Sequence, residues 1–370
     1  CPWPPFWARF CQRRPLCAFA LCGPVLTSPL VTDQSAQPSS SRRVEPGPGV
    51  RGERRSRPGE PMPGGLCSDA IERVCPVCDG TQSEPFWEKG ALRAVRCAQC
   101  GMVYANPVAE ALATGRFYDA LGTEYYLSPA KLESDYHPVR FERELRLFRS
   151  FCKRGAVLDV GCSSGAFLHH LRRCGDYRVT GVDVAGAPLD YAEARGIEVV
   201  RAPFLEHDFG GRRFEAVTFW AVLEHLVNPR AFLDRAANLL VPGGHCCALV
   251  PNLGSLAIRL CGARYRYVMP DHVNYFSPAT LRAFVAREDG FDLVTLRSTH
   301  FNPVVLWQDW RRMRDRVPES ERAQLLLRTT RLKQSRWLGP ARLLYRGVEG
   351  LLGARLLADN LTIVLRRRPA

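Results

Sequence analysis

Between residues 156 and 297, short apolar runs rich in Val, Leu and Phe alternate with stretches whose apolar residues recur at helical spacing. The runs at 156–160, 179–184, 197–200, 216–220, 245–250 and 291–296 read as strands, and 166–174, 188–195, 229–240 and 278–288 read as helices. This alternation predicts a mostly parallel sheet with helices on both faces. Pro188, Pro229 and Pro278 stand at three predicted helix starts, where a missing N–H costs least. Residues 303–358 read as Arg- and Leu-rich helix interrupted by Pro318 and Pro340, and 360–367 as a strand. That strand is expected to rejoin the same sheet, with the helical stretch inserted before it.

On the N-terminal side the pattern changes. Phe117, Tyr118, Tyr125, Tyr126, Phe141, Leu145 and Phe148 predict helices that lead into the core as a lid or connector. The first 66 residues are rich in Pro, Gly, Ser and Arg without apolar periodicity, so they bury too little surface to offset chain entropy and are expected to be disordered. The chain begins with Cys1, and Met62 stands just before the first organised segment, which places the expected native start near Met62. The predicted organisation is an extension at 1–66, a cysteine-bearing module at 67–105, a helical connector at 106–150, a core at 151–302, a helical insertion at 303–358, and a final strand with tail at 359–370.

Charge refines this picture. The formal charge of +14 is unevenly placed: residues 1–66 hold 9 basic and 4 acidic side chains, 301–370 hold 15 and 6, and 67–300 hold 27 and 27. A neutral core argues against a polyanion substrate, because phosphate contacts need clustered Lys and Arg. No apolar run approaches the roughly 20 residues of a membrane-spanning helix. The Arg- and Leu-rich 303–358 stretch leaves peripheral membrane contact open, beside the plainer reading of a solvated helical insertion. Of 15 cysteines, Cys162, Cys246 and Cys247 fall in predicted core segments, so a reducing cytoplasm fits better than a disulfide-bonded exterior.

Two motifs carry chemistry. Cys75-x2-Cys78 and Cys97-x2-Cys100 flank 18 residues, the spacing of a four-thiolate zinc ribbon, with Gly80 and Gly101 after the pairs to allow the turns. All four positions are taken by protein, so the zinc is expected to be structural. Val157-Leu158-Asp159-Val160-Gly161-Cys162-Ser163-Ser164-Gly165 is an apolar strand running into a glycine-containing turn that opens a helix, where backbone N–H groups can meet a ligand. Gly161 and Gly165 do not form G-x-G-x-x-G, which weakens a nicotinamide reading. Asp183 closes the next strand 24 residues after Asp159, where a carboxylate can accept from both hydroxyls of a ribose.

These elements, together with Phe214-Glu215-Ala216-Val217, Leu223-Glu224-His225-Leu226, Asn228-Pro229, Leu240-Val241-Pro242-Gly243-Gly244 and Val250-Pro251-Asn252, resemble the class I S-adenosylmethionine-dependent methyltransferases over roughly residues 136–297. The resemblance implies a Rossmann-like doubly wound, mostly parallel sheet, to which the cysteine spacing adds a small N-terminal zinc ribbon and the 303–358 pattern a C-terminal helical insertion. It also implies that Asp159, Gly161 and Gly165 hold the methionine moiety, that Asp183 holds the ribose, and that the segment after the third strand holds the adenine. Phe204 and Trp220 complete the expected cofactor contacts. Ser163 replaces a glycine frequent in this loop, and Ala202-Pro203 stand where a carboxylate often meets the adenine amino group, which leaves that contact to Phe204, backbone groups or Asp208.

For a hydroxyl or carbon acceptor a base is needed, and His225, beyond the fourth strand, is the first candidate, with structural capping as the plainer reading. His272 and Tyr275, in the Asp271–Phe276 segment, are the second. His169, His170, His207 and His300 read as surface or packing residues. A zinc module before such a core looks like sugar C-methyltransferases and certain ribosomal-RNA guanine methyltransferases. Residues 67–105 carry only Arg73, Lys89, Arg93 and Arg96 against five acids, which disfavours RNA. The expectation is methyl transfer to an O or C atom of a small molecule, such as a sugar or secondary metabolite; the alternatives are an RNA methyltransferase or a non-catalytic module that binds through the same fold.

Overall fold

The computed structural model describes residues 70–115, 117, 125–184, 186–311 and 339–369. The expected disorder of 1–66, the reading of Tyr118 and the break at Pro318 lie outside these residues. Thirteen strands are described: β1 (Ala70–Ile71), β2 (Ser83–Lys89), β3 (Leu92–Cys97), β4 (Val103–Ala105), β5 (Val108–Ala109), β6 (Gly155–Val160), β7 (Tyr177–Asp183), β8 (Glu198–Arg201), β9 (Phe214–Trp220), β10 (Leu240–Pro251), β11 (Asn274–Tyr275), β12 (Phe291–Thr299) and β13 (Asn360–Arg367).

Seven of them form one sheet in the order β12-β13-β10-β9-β6-β7-β8. The pairs β6–β7, β6–β9, β7–β8 and β9–β10 are parallel, whereas β13 runs antiparallel between β10 and β12. The last strand thus rejoins the sheet, wedged between two earlier strands rather than added at its edge. Strand β6 is interior to the sheet and covered on both faces, which is why Ala156–Val160 are all buried and read as a run broken only by Asp159.

Alternation along each strand feeds two cores. Leu158, Val217, Ala248 and Ile363 pack against Leu233 and Ala236 of the helix Pro229–Leu239 and Leu281 and Phe284 of the helix Pro278–Val285. Their neighbours Val157, Ala216, Cys247 and Val364 face Phe148, Phe167, Leu168 and Leu189 on the other side. Local chemistry starts the first pair of helices as read. Pro229 follows Asn228, whose side chain accepts from the Ala231 N–H, and Ser277 forms a capping box with Thr280 ahead of Pro278. The helix expected at Pro188 instead begins at Gly186, which leaves Pro188 inside the first turn.

A four-stranded sheet, β11-β4-β3-β2, carries the cysteine module. Its β11 comes from the core: Asn274 pairs with Tyr104 and Tyr275 with Val103. The ribbon therefore shares a sheet with the segment expected to hold His272, which cysteine spacing did not reveal. No helix of the described residues is long and apolar enough to cross a membrane, and none of the described cysteines is in a disulfide.

Candidate cofactor and acceptor site

From β6 the chain passes outward through β7 and β8, then crosses back to β9 on the other side of β6, which makes a switch point at the carboxyl ends of β6 and β9. Gly161 and Gly165 sit there with φ of +71° and +75°. A Cβ on Gly161 would lie 2.7 Å from Val222 Cγ2, and one on Gly165 would lie 2.8 Å from Ala192 Cβ. Both glycines are demanded by space as well as by backbone conformation.

Ser163, where the family often has glycine, also takes a left-handed φ of +49°. A Cβ in that region costs about 1–2 kcal/mol, partly offset by the extra entropy glycine adds to the unfolded chain. Ser163→Gly is expected to stabilise the fold by about 0.5–1 kcal/mol, read as a higher urea midpoint; an unchanged midpoint would mean the loop holds no strain.

The Asp183 carboxylate accepts from the Ser163 N–H at 2.8 Å and the Val184 N–H at 2.7 Å, so it braces the loop from the neighbouring strand end. Asp159 is buried and accepts from the Thr218 hydroxyl of β9 at 2.5 Å. Burial pushes its carboxyl up to about 7, against the pull of the Thr218 hydrogen bond and with the nearby Asp183 charge adding to the rise. Trp220, at the end of β9, packs its ring 4.9 Å from Phe167, and its buried indole nitrogen has no partner among the described residues.

Sequence reasoning missed Tyr136. It follows the helix Pro129–Asp135, its hydroxyl donates to the Ser164 carbonyl, and its ring lies 5.5 Å from Tyr191. The only signal for it was an aromatic in the connector.

Phe204, expected at the cofactor, lies inward of the crevice. Its side chain is 4% exposed, packed among Phe209, Phe219 and Phe232, and so belongs to the core under the loop after β8. Asp208 accepts from the Gly210 N–H at 2.9 Å and caps a turn.

The second half of the site lies beyond β9, in the tight turn Leu223–His225. His225 Nδ1 lies 2.8 Å from the Asp271 carbonyl. A carbonyl only accepts, so Nδ1 carries the proton and Nε2 is the basic nitrogen. The Asp271 carboxylate stands 3.9 Å from His225 Nδ1. His272 is oriented likewise by the Tyr267 carbonyl at 2.9 Å, and the two imidazole centroids are 4.7 Å apart. Tyr275 is buried, and its hydroxyl donates to the Met269 carbonyl at 2.8 Å. Its phenol is thus committed to the fold and pushed up by burial, which removes it as a base.

Glu224 is fully buried beside these imidazoles, and neither carboxylate oxygen has a hydrogen-bond partner from another side chain among the described residues. Burial pushes it up to about 8, with the Asp271 charge adding to the rise. One ligating atom each of Glu224, His225 and His272 lies within 4.8 Å of the others, a donor set of the kind divalent cations take. His300, read as a surface or packing residue, pairs with the buried Glu144.

In the ribbon, Cys75 and Cys100 sulfurs are 3.4 Å apart, as are those of Cys78 and Cys97, and all four lie within 4.8 Å of one another. Four Zn–S bonds of about 2.3 Å in a tetrahedron put sulfurs about 3.8 Å apart, so the residues fit such an ion. Burial opposes ionisation of Cys97, but backbone N–H groups of Cys100 and Gln99 outweigh it and hold that thiol below its usual range. The left-handed turn residues are Asp79 and Gly101 rather than Gly80 and Gly101. A Cβ on Gly80 would come 2.7 Å from Gln99 Oε1, the end of a flexible side chain that would have to shift.

Comparison with known proteins agrees with this geometry. A model of the methyltransferase domain family matches residues 137–296. The ubiquinone biosynthesis O-methyltransferase of Serratia proteamaculans is 28% identical over 194 residues, covering 47% of this chain and 79% of that protein. Its counterpart from Nitrosococcus oceani is 30% identical over 185 residues, covering 46% and 76%, and that from Caulobacter vibrioides 32% over 178, covering 41% and 70%. With the strand order, the glycine turn and Asp183 in place, the chain belongs to the class I S-adenosylmethionine-dependent methyltransferases.

Proposed function

We propose that the protein transfers a methyl group to an O or C atom of a small molecule, with O-methylation of a hydroxylated metabolite as the best-supported form. The observation that carries this reading is the convergence on one switch point of Asp159, the Gly161–Gly165 turn and Asp183 with the His225 imidazole, on strand ends that neighbour one another. The names of the relatives support an O-methyl acceptor, and the neutral 67–300 segment supports an uncharged or weakly charged one.

S-adenosylmethionine, when bound, supplies an electrophilic methyl on a sulfonium. The protein's part is alignment and proton removal. The Gly161–Gly165 turn lets the backbone approach the amino-acid end, Asp183 receives the ribose hydroxyls, and Tyr136 covers the loop as part of the connector. Trp220 offers its indole N–H at the crevice. His225 Nε2 takes the acceptor proton, while Asp271 stabilises the resulting imidazolium; His272 orients the same pocket. The four cysteines hold a structural zinc.

Methyl transfer from labelled S-adenosylmethionine to phenols, catechols, sugars and RNA tests this reading. Label is expected on a hydroxylated small molecule, and His225→Ala is expected to slow it about 100- to 10,000-fold with cofactor affinity unchanged. Label on RNA alone would overturn the small-molecule reading.

The buried Asp159 also sets a pH dependence. Its folded pKa of about 7 lies above the ordinary 3.8, so its contribution to stability of the unliganded fold is complete below that value and lost as pH rises through 7. Cofactor binding runs the other way, because only the carboxylate attracts the ligand's cationic groups. Affinity is expected to rise about fivefold from pH 6 to pH 7, and a flat profile would remove Asp159 from the site.

A further inference from the structure

Resting on the reading of His225 as the acceptor-side base, we propose that the ribbon sets the geometry of that half of the site, and that Arg73 and Asn274 are the positioning residues that transmit it. Arg73 stands two residues before the first thiol. Its guanidinium donates through Nη2 to the Val227 carbonyl at 2.7 Å and to Asn274 Oδ1 at 3.0 Å, and through Nη1 to the Val273 carbonyl at 3.3 Å.

Arginine can only donate, so it fixes which way the Asn274 amide points. With Oδ1 held by Arg73, Asn274 Nδ2 donates to the Leu223 carbonyl at 2.9 Å and the Leu226 carbonyl at 2.7 Å. The Val273 N–H donates to the Glu224 carbonyl at 2.8 Å. Three carbonyls of the Leu223–Leu226 turn are therefore held by two consecutive residues, and those two residues are held by the ribbon. Strand β4 completes the attachment: it pairs with β11 at Tyr104 and Val103, and the Ala105 N–H donates to the Val273 carbonyl at 2.9 Å.

The cysteines bracket this frame. Cys75 lies two residues after Arg73 along the chain, and Cys97 and Cys100 lead into β4. A metal closing the four thiols locks together the two segments that grip Val273 and Asn274, and a segment of this size has little core of its own to do so. His225 and His272, flanking the gripped residues, inherit their orientation from it. This gives the ribbon a purpose in a protein whose basic residues do not gather on it.

The test is long-range proton–nitrogen correlation NMR on the zinc-loaded full chain with labelled histidine. His225 and His272 are expected to show protonated Nδ1. In Arg73→Ala and in Asn274→Asp, both are expected to lose that pattern for mixed tautomers, while His207 and His245 keep theirs and S-adenosylhomocysteine affinity stays at the wild-type value. Should Arg73→Ala melt early, Arg73→Lys, which keeps the charge but loses the fork, is expected to show the same loss in a folded protein. Wild-type His225 and His272 signals in the folded variants would overturn the proposal. A wild-type chain that fails to bind S-adenosylhomocysteine would instead strike at the cofactor reading, and the histidine signals would still decide the coupling.

Discussion

Asp183→Ala is expected to weaken S-adenosylmethionine binding about 100-fold or more in a calorimetric titration. The carboxylate does two things that no neighbour duplicates. It accepts from the Ser163 and Val184 N–H groups, which holds the turn after β6 in shape, and it presents oxygens at the end of β7 where a ribose would lie. Charge-assisted hydrogen bonds contribute about 1.5–3 kcal/mol each, so loss of two reaches that factor. Asp208→Ala, which uncaps a turn outside this cradle, is expected to leave affinity nearly unchanged. Equal losses in both variants would mean that the cradle has been misplaced.

Loss of the ribbon metal is the second large effect. Cys97→Ser is expected to release one equivalent of zinc, to expose residues 70–105 to protease and to lower the melting temperature, whereas Cys174→Ser changes none of these. About 10 kcal/mol of folding free energy attends a four-thiolate site, and here it is coupled to the rest of the chain. Val77, Met102 and Tyr104 of the ribbon share a hydrophobic cluster with Phe276, Leu281 and Phe284 of the core. Arg230 extends the joint by donating from the helix Pro229–Leu239 to the Val77 carbonyl at 3.0 Å. Unchanged metal content and protease resistance in Cys97→Ser would contradict a zinc-held ribbon.

What was legible in the sequence follows from what each residue has to do locally. Strands β6, β9 and β10 show as apolar runs because they are covered on both faces, and Gly161, Gly165 and Asp183 show because a sharp turn and a terminal carboxylate leave few residue choices. Long-range pairing leaves no such mark. Two-residue β11 is too short for a periodic signal, so its union with the ribbon, and the roles of Arg73 and Asn274, emerge only in three dimensions. Phe204 shows the same limit: its position after β8 suggested a ligand contact, and only the structure shows its ring drawn inward by Phe209, Phe219 and Phe232. Tyr275 offered a phenol in the right segment, and only the structure shows that hydroxyl held by the Met269 carbonyl.

The central claim is that S-adenosylmethionine binds at the carboxyl ends of β6, β7 and β9. Hydrogen exchange of the full chain with and without S-adenosylhomocysteine tests it most directly. Protection is predicted at residues 159–165 and 181–184 and in the turn after β9, with the far ends of the same strands unchanged. Absence of any protection at saturating ligand, or protection confined to another face of the molecule, would contradict the account.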